Sequence, residues 1–378
     1  MARFIYVGPT KAGQSVFKNS PGFGKVVVEE EKQDINIFRL GEDGHSLIAA
    51  GSFDPGCHTN WLAYHPSNGH LYAVGGGKVH ALKVAADGSL SAVSSADALG
   101  ASAYLELSAD GKWALVANFG SGSIAVLPIL SDGKLSEATD SKMHTMVPNP
   151  ALADRQDACH PHQIRLDKAN KWALVCDLGA DRVWVYAFDA VRGSLVGASN
   201  SSRHLALPEG AGPRHLDFHP NGRWVYVLCE LNGNLVVCDW DAEAGSLTPK
   251  QSIYVLPEGV ACSRANHSGS AHVLVSPDGR MVYATTRTDN QVVVFRADAA
   301  TGCLEKAQSV PSCGICPRNF HLDYTSAEPR LRVGNQDSQN LVTYAIDPSS
   351  GLLAEPPEVL KLDGFCPAII TGPISPVV

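Results

Sequence analysis

The sequence predicts an all-β protein, a seven-bladed β-propeller whose blades are four-stranded antiparallel sheets. The prediction rests on a repeated pattern of four strands joined by three turns, which is clearest from Gly212 to Leu247. Asn-Gly and Asp-Gly turns punctuate the copies, and runs rich in Val, Tyr and Trp lie between the turns. A repeat of about 40 to 50 residues with four short strands is typical of a propeller blade.

Two turns in each copy locate its strands. The first turn joins the first and second strands, as in HPSNG at 65–69 and SPDG at 276–279. The second turn joins the third and fourth strands and occurs seven times, from GEDG at 41–44 to DPSSG at 347–351. Asn, Asp and Gly adopt the backbone angles that such turns require, so the seven second turns predict seven blades.

The two ends of the chain are predicted to complete one blade together. Residues 3–53 contain only the last three strands of a copy, whereas residues 366–372 supply an isolated first strand. Pairing these segments closes the ring and removes the edge strands that an open ring would expose. Because no Pro-rich or Ser-rich linker divides the chain, we expect residues 1–378 to form a single domain.

Composition narrows the classes of partner. The 378 residues carry 30 Lys and Arg against 38 Asp and Glu, a formal net charge of −8, without a basic run. Nucleic acid and membranes are therefore not expected as partners. No long apolar stretch is present, and the start MARFIYVGPT leads directly into a strand, which favours a cytoplasmic protein. The ten cysteines, several of them inside strand patterns, fit a reducing compartment.

Three long insertions interrupt the repeat, at 10–34, 135–159 and 250–270. The first follows a second strand and the other two precede first strands, so strand direction places all three on one face of the propeller. Long excursions over a cleft commonly form lids, pocket walls or subunit contacts. We therefore expect this face to hold the functional site, and the 10–34 insertion is the candidate contact for an oligomer.

Polar side chains are predicted to collect at the rim of that face. Because strands within a blade are antiparallel, the start of each first strand lies beside the end of the second strand, close to the axis. Residues at these two places are His58 to Trp61, Tyr104, His160, His162, Arg214, His272, Arg318 and Asn319 on first strands, and Asn118, Asp177, Glu230, Arg287 and Asn335 to Asp337 on second strands. This ring is rich in side chains that acid–base chemistry and anion binding use.

Several segments of the repeat carry a family likeness. In chain order they are HPHQIRLD, DLGADRVWVY, GPRHLDFHPNGRWVYVLCEL, SPDGRMVYATTRTDNQVVVF and PRNFHLD followed by GNQDSQN. Their succession resembles the seven-bladed β-propeller lactonases, which include propeller-type 6-phosphogluconolactonases and fungal carboxy-cis,cis-muconate cyclases. The resemblance implies a catalytic set of His162, Arg214, Glu230 and Arg287, all of which belong to the predicted rim. The insertion after Pro9 departs from the compact hairpin of that family, so the resemblance does not extend to the shape of the pocket.

These residue types fit the chemistry of a lactonase. Hydrolysis needs a base that activates water, positive charge for the developing oxyanion and an acid for the leaving alkoxide. His162 or Glu230 fits the role of base, and Arg214 and Arg287 fit the binding of an anionic substrate. Other rim residues are candidate substrate contacts, namely His160, His272, Arg318, Asn319 and Asp177.

Neither a metal ion nor a cofactor is predicted. The HPH triplet at 160–162 lacks a matching carboxylate cluster, and Cys313 and Cys316 have the spacing of a metal or redox motif without a second pair nearby. His65 and His219 open turns and precede proline, so we interpret both as structural.

Three functions stay open at this stage. The first is hydrolysis of an acidic sugar lactone, with a phosphorylated gluconolactone as the leading substrate. The second is lactone-forming cycloisomerisation of a carboxylated muconate, which uses the same cations and proton-transfer groups. The third is a non-catalytic propeller that binds a small anion or a protein. In the structural alternatives, His162 is a hydrogen-bonded channel histidine and Arg214 simply pairs with Glu230.

Overall fold

Seven antiparallel sheets make up the computed structural model, which describes residues 3–9, 34–65, 67–197, 203–264, 269–362 and 367–374. The closing blade contains β1 (Phe4–Pro9), β2 (Ile35–Leu40), β3 (Leu47–Phe53) and β29 (Pro367–Ile374). Strand β29 pairs with β1, so both ends of the chain share one blade. The predicted seven-bladed propeller with this closure is confirmed.

The other six blades follow in chain order. Blade 1 contains β4 (Trp61–His65), β5 (His70–Gly75), β6 (Lys78–Val84) and β7 (Leu90–Asp97). Blade 2 contains β8 (Tyr104–Leu107), β9 (Trp113–Asn118), β10 (Ser123–Pro128) and β11 (Asp140–Met143). Blade 3 contains β12 (Pro161–Leu166), β13 (Trp172–Asp177), β14 (Arg182–Asp189) and β15 (Ser194–Val196), and β16 (His204–Ala206) also pairs with β14. Blade 4 contains β17 (Pro213–Phe218), β18 (Trp224–Cys229), β19 (Asn234–Asp241) and β20 (Ser246–Tyr254). Blade 5 contains β21 (Ser270–Val275), β22 (Met281–Thr286), β23 (Gln291–Ala297) and β24 (Leu304–Pro311). Blade 6 contains β25 (Pro317–Asp323), β26 (Arg330–Asn335), β27 (Asn340–Ala345) and β28 (Glu358–Lys361).

Two single turns of 3-10 helix occur in the described residues, at Phe119–Ser121 and Pro150–Leu152. None of the described helices is long and apolar enough to cross a membrane.

Hydrophobic packing lies between neighbouring blades. The second strands β13, β18 and β22 are buried at every position, because each is covered on both faces by adjacent sheets. Leu228 and Val237 of blade 4, for example, belong to the same cluster as Val273, Val282 and Phe295 of blade 5. The Val-rich runs of the sequence therefore provide the side-chain contacts that hold one blade against the next.

Strand register places the predicted rim residues together. The first residue of β12, Pro161, lies opposite Asp177 at the end of β13, and Pro213 of β17 lies opposite Cys229 at the end of β18. Pro317 of β25 lies opposite Asn335 in the same way. Inner-strand starts and second-strand ends therefore share one face.

Side-chain hydrogen bonds to the carbonyls of turn glycines connect adjacent blades. The Nε2–H of His65 donates to the carbonyl of Gly111, and the Nε2–H of His219 donates to the carbonyl of Gly279, each at 3.0 Å. The hydroxyl of Tyr226 donates to the Gly302 carbonyl at 3.1 Å. The two histidines thus have the structural role that their position in the turns predicts.

The insertions differ from the sequence-based expectation in one respect. Residues 135–159 include the outer strand β11, and residues 250–254 continue the outer strand β20. Both stretches are partly exposed and lack an apolar run, so their sequences carry little strand signal. The connections outside the strands are therefore 144–160 and, in the part that the structure describes, 255–264. Residues 10–33 lie outside the described part of the chain, and the predicted position and oligomer contact of that insertion stay predictions.

The close contact between His219 and Gly279 predicts a large loss of stability in Gly279→Ala. A Cβ at Gly279 would lie 2.5 Å from Nε2 of His219, at a φ of +77°. Gly222 is the matched control, because its φ is +72° and a Cβ there meets nothing within 4 Å. In urea denaturation we expect Gly279→Ala to lower the free energy of unfolding by about 2 to 4 kcal/mol. The expected loss for Gly222→Ala is about 1 to 2 kcal/mol. Equal losses would contradict a tight contact at His219.

Candidate active site

Three inner strands begin with the same local feature, a proline followed by a β-bulge. In β12, β17 and β25 the pairing with the second strand shifts by one residue directly after the proline. The extra residues are His162, Arg214 and Arg318. Proline suits the start of a strand because it has no N–H to donate, and a bulge re-aims the extra side chain. A local backbone irregularity therefore orients three of the predicted site residues.

Glu230 is the centre of the charged cluster. It follows β18, and its side chain is 2% exposed. Its Oε2 lies 3.0 Å from Nε of Arg214 and 2.9 Å from Nη2 of Arg287, the residue that follows β22. Its Oε1 accepts a hydrogen bond of 2.7 Å from Nη2 of Arg155. One buried carboxylate therefore joins blade 4, blade 5 and the 144–160 connection.

The arginines decide the ionisation of Glu230. Burial by itself raises the pKa of this carboxyl group, but the charges of Arg287, Arg155 and Arg214 outweigh it and hold the pKa well below its usual range. Glu230 is consequently a carboxylate at neutral pH. Two of these partners are themselves fixed, since Arg287 donates to the carbonyls of Gly269 and Ser270 and Arg214 donates to that of Ala271.

His162 has the opposite electrostatic state. Burial lowers its pKa well below the usual range, and the positive charges of Arg214 and Arg318 lower it further, against the opposing effect of Glu230. The ring is therefore neutral at pH 7. Phe119 and His215 pack edge-on against it, with ring centroids 5.3 and 5.0 Å away. Its buried Nδ1 makes no hydrogen bond to any described residue.

These groups meet in a cavity of about 310 Å³. The lining residues are Asn60, Ala101, Ser102, Ala103, Phe119, Gly120, Arg155, His162, Glu230 and Arg318. A volume of this size suits a small ligand. Of the four catalytic candidates, His162 and Glu230 line the cavity, whereas Arg214 and Arg287 reach the site through their ion pairs with Glu230.

Two predicted substrate contacts lie along the inner strands. His272 is buried against His215, with their Nδ1 atoms 2.6 Å apart, so that one ring donates to the other. Trp61 packs edge-on against both rings. Asn319, the residue after Arg318 in β25, is also buried. Neither His272 nor Asn319 lines the cavity.

Of the other three predicted contacts, Arg318 lines the cavity and the remaining two belong to a separate network. Asp177 is fully buried, and its Oδ2 lies 2.7 Å from Nδ1 of His144. Its Oδ1 accepts a hydrogen bond from the backbone N–H of His160 at 2.7 Å. The ring of His160 stacks on Phe119 with centroids 4.5 Å apart. The structure therefore places Asp177 and His160 where they fasten the 144–160 connection, outside the cavity lining.

Sequence reasoning did not identify several lining residues. Ser102 lies two residues before Tyr104, and Phe119 lies directly after Asn118. A slightly wider window at the strand ends would have included both. Arg155 lies in a connection without strand periodicity, and nothing in the local sequence distinguishes it. Only the three-dimensional contact with Glu230 reveals it.

The described residues contain no group of three or more His, Cys, Asp or Glu side chains arranged to hold a metal ion. Cys313 is exposed and its Sγ lies 3.6 Å from the hydroxyl of Tyr344, whereas Cys316 is buried. The HPH triplet has other contacts, since His160 faces Asp157 and the carbonyl of Phe119.

The buried histidines predict an unusual titration. Burial lowers the pKa of His162, His215 and His272 well below the usual range, so their ring signals should not titrate between pH 7 and pH 6. In urea all 14 histidines should titrate near the unperturbed value of about 6.5. Because the unfolded state then binds more protons, the free energy of unfolding should decrease as the pH falls below about 6.5. NMR of histidine-labelled protein measures the rings, and a site histidine that titrates near 6.5 would contradict this electrostatic description.

Comparison with known proteins gives one consistent result. The family described as "Lactonase, 7-bladed beta-propeller" matches residues 23–364. A 6-phosphogluconolactonase of Bacillus subtilis is 30% identical over 252 residues, which cover 66% of this chain and 68% of the relative. A 6-phosphogluconolactonase of Pectobacterium atrosepticum is 28% identical over 328 residues, covering 86% and 91%. The structure of the periplasmic gluconolactonase of Pseudomonas aeruginosa matches with a TM-score of 0.81 at 25% identity, covering 98% of this chain and 99% of that one. The protein belongs to the seven-bladed β-propeller lactonase family.

Proposed function

We propose that the protein hydrolyses a sugar lactone that carries an anionic group, of the 6-phosphogluconolactone type. The observation that supports this most is the pairing of a neutral histidine with a cationic cluster in one small cavity, at His162 and Glu230 with its three arginines. Relatives from Bacillus subtilis and Pectobacterium atrosepticum bear the name 6-phosphogluconolactonase. The natural partner is accordingly a small anionic lactone.

His162 is the general base in this proposal. It accepts a proton from a water molecule as the water oxygen attacks the lactone carbonyl carbon, and the carbonyl oxygen becomes an oxyanion. Positive charge from the arginines, including Arg318 in the cavity wall, stabilises that oxyanion. When the ring C–O bond breaks, the imidazolium returns the proton to the alkoxide. The product is an open hydroxy acid, which ionises to the carboxylate.

Glu230 has a supporting role. Its lowered pKa leaves no proton to donate at neutral pH, and its two oxygens are already engaged by arginines. Its function is to hold Arg155, Arg214 and Arg287 in position and to limit their mutual repulsion. The sequence offered the Glu230 carboxylate and the His162 imidazole as alternative bases. In this proposal their different electrostatic environments give them different roles.

The catalytic role of His162 predicts a loss of turnover in His162→Ala. On freshly prepared 6-phosphogluconolactone, with acid release corrected for the uncatalysed rate, kcat should fall by about a hundredfold or more. His45→Ala is the control, because His45 lies between β2 and β3 and does not line the cavity. Wild-type turnover in His162→Ala would refute the assignment. Loss of diene absorbance with carboxy-cis,cis-muconate, without lactone hydrolysis, would instead identify a cycloisomerase.

The proposed chemistry uses no metal ion, since His162 supplies the base and guanidinium groups supply the positive charge. We therefore expect the hydrolysis rate to be unchanged after dialysis against excess chelator. Inactivation by the chelator, with recovery on adding back a divalent cation, would contradict the mechanism.

A further inference from the structure

We propose that Arg155, carried by the 144–160 connection, binds the phosphate of the substrate and sets the preference for a phosphorylated lactone. This inference rests on the proposed function for its substrate class. The sequence assigns substrate binding to other arginines, and Arg155 belongs to none of the motifs that carry the family likeness.

The first observation is an unused donor. The Arg155 side chain is 10% exposed, and its Nη2 donates to Glu230. Its Nη1 is buried and makes no hydrogen bond to any described residue, although the side chain lines the cavity. A buried cationic donor without an acceptor is unfavourable, and proteins usually provide such a group with a partner. An anionic oxygen in the cavity would satisfy it.

The second observation is the excess of positive charge. The charged side chains that line the cavity are those of Arg155, Arg318 and Glu230, and Arg214 and Arg287 pair with the same Glu230 carboxylate. Two guanidinium groups therefore line the cavity against one carboxylate, while His162 is neutral. Burial and repulsion from Arg287 lower the pKa of Arg318. A phosphate monoester, with a charge of about −1.5 to −2 at pH 7, matches this excess.

The third observation is that Arg155 is held in place before any ligand binds. Its neighbour Gln156 is buried and donates from Nε2 to the carbonyl of Leu178 at 2.9 Å and to Asp181 at 2.7 Å. On the other side, Asp154 accepts from Nη2 of Arg264 at 3.2 Å. Arg264 also donates to the carbonyl of Gly210, so the 255–264 segment braces the 144–160 connection. A guanidinium that is already oriented loses little entropy when it binds an anion.

A second polar atom of the cavity fits the same ligand. The hydroxyl oxygen of Ser102 is buried, makes no hydrogen bond to any described residue and belongs to a lining residue. A hydroxyl donor together with a guanidinium is a common set for phosphate oxygens. The cavity thus offers separate groups for the phosphate and for the reacting carbonyl, the latter attended by His162.

The test is calorimetric titration of the full-length protein with inorganic phosphate. We expect Arg155→Ala to weaken phosphate binding by at least about tenfold and Arg155→Lys to weaken it less. Arg182→Ala is the matched control, because it removes the same charge near the same connection from a residue that does not line this cavity. The control should bind as the wild type does. Thermal midpoints of all variants establish that each is folded.

A double variant separates anion binding from support of Glu230. In Glu230→Gln the ionic partner of Arg155 is gone, so a residue that acts only through Glu230 has no further effect. We expect Glu230→Gln/Arg155→Ala to bind phosphate at least about tenfold more weakly than Glu230→Gln alone. Equal binding by these two proteins would overturn the inference, as would wild-type phosphate binding in Arg155→Ala or no phosphate binding by the wild type.

The same variants distinguish failure of the inference from failure of the proposed function. With lactones as substrates, Arg155→Ala should lower the ratio of kcat/KM for the phosphorylated lactone to kcat/KM for unphosphorylated gluconolactone by at least about tenfold. An unchanged ratio overturns the inference while hydrolysis itself stands. If no lactone is hydrolysed but phosphate binding depends on Arg155, the proposed function fails and the anion site is supported.

Discussion

Burial of the Glu230 carboxylate is the constraint on which the organisation of the site depends. A charge at 2% exposure persists only if it is paired, and loss of one partner of a buried ion pair costs about 3 to 5 kcal/mol. Three arginines meet this requirement, and each comes from a different segment of the chain. The cluster therefore fixes β17, the end of β22 and the 144–160 connection relative to one another, and the cavity takes its shape from that arrangement.

Arg214 has opposite effects on two titratable groups. With Arg287 and Arg155 it keeps Glu230 ionised, and with burial and Arg318 it keeps His162 neutral. A base that is unprotonated at neutral pH, next to concentrated positive charge, is what lactone hydrolysis requires. This state arises from the combination of burial and charge excess, because either histidine or glutamate alone in water would have an ordinary pKa.

Much of the fold and part of the site were predictable from the sequence because their causes are local. Turn residues and apolar strands recur, so the blades could be counted, and antiparallel pairing placed His162, Arg214, Glu230 and Arg287 on one face. Outer strand β11 was not recognised, since half-exposed polar residues leave no periodic signal. The contact between Asp177 and His144 was equally hidden, because it joins residues whose local sequences are unrelated.

The sequence by itself determined the number of blades, the closure of the ring by its two ends and the rim to which the motif residues belong. Those features follow from hydrogen-bond geometry within a few residues and from the alternation of strand direction. Only the tertiary structure decided that Arg155 reaches Glu230 across 75 positions of the chain, that Arg214 and Arg287 pair with that carboxylate, and that His162 is neutral. Burial and net charge in a cavity depend on which distant segments meet there, and no local pattern in the sequence encodes that meeting.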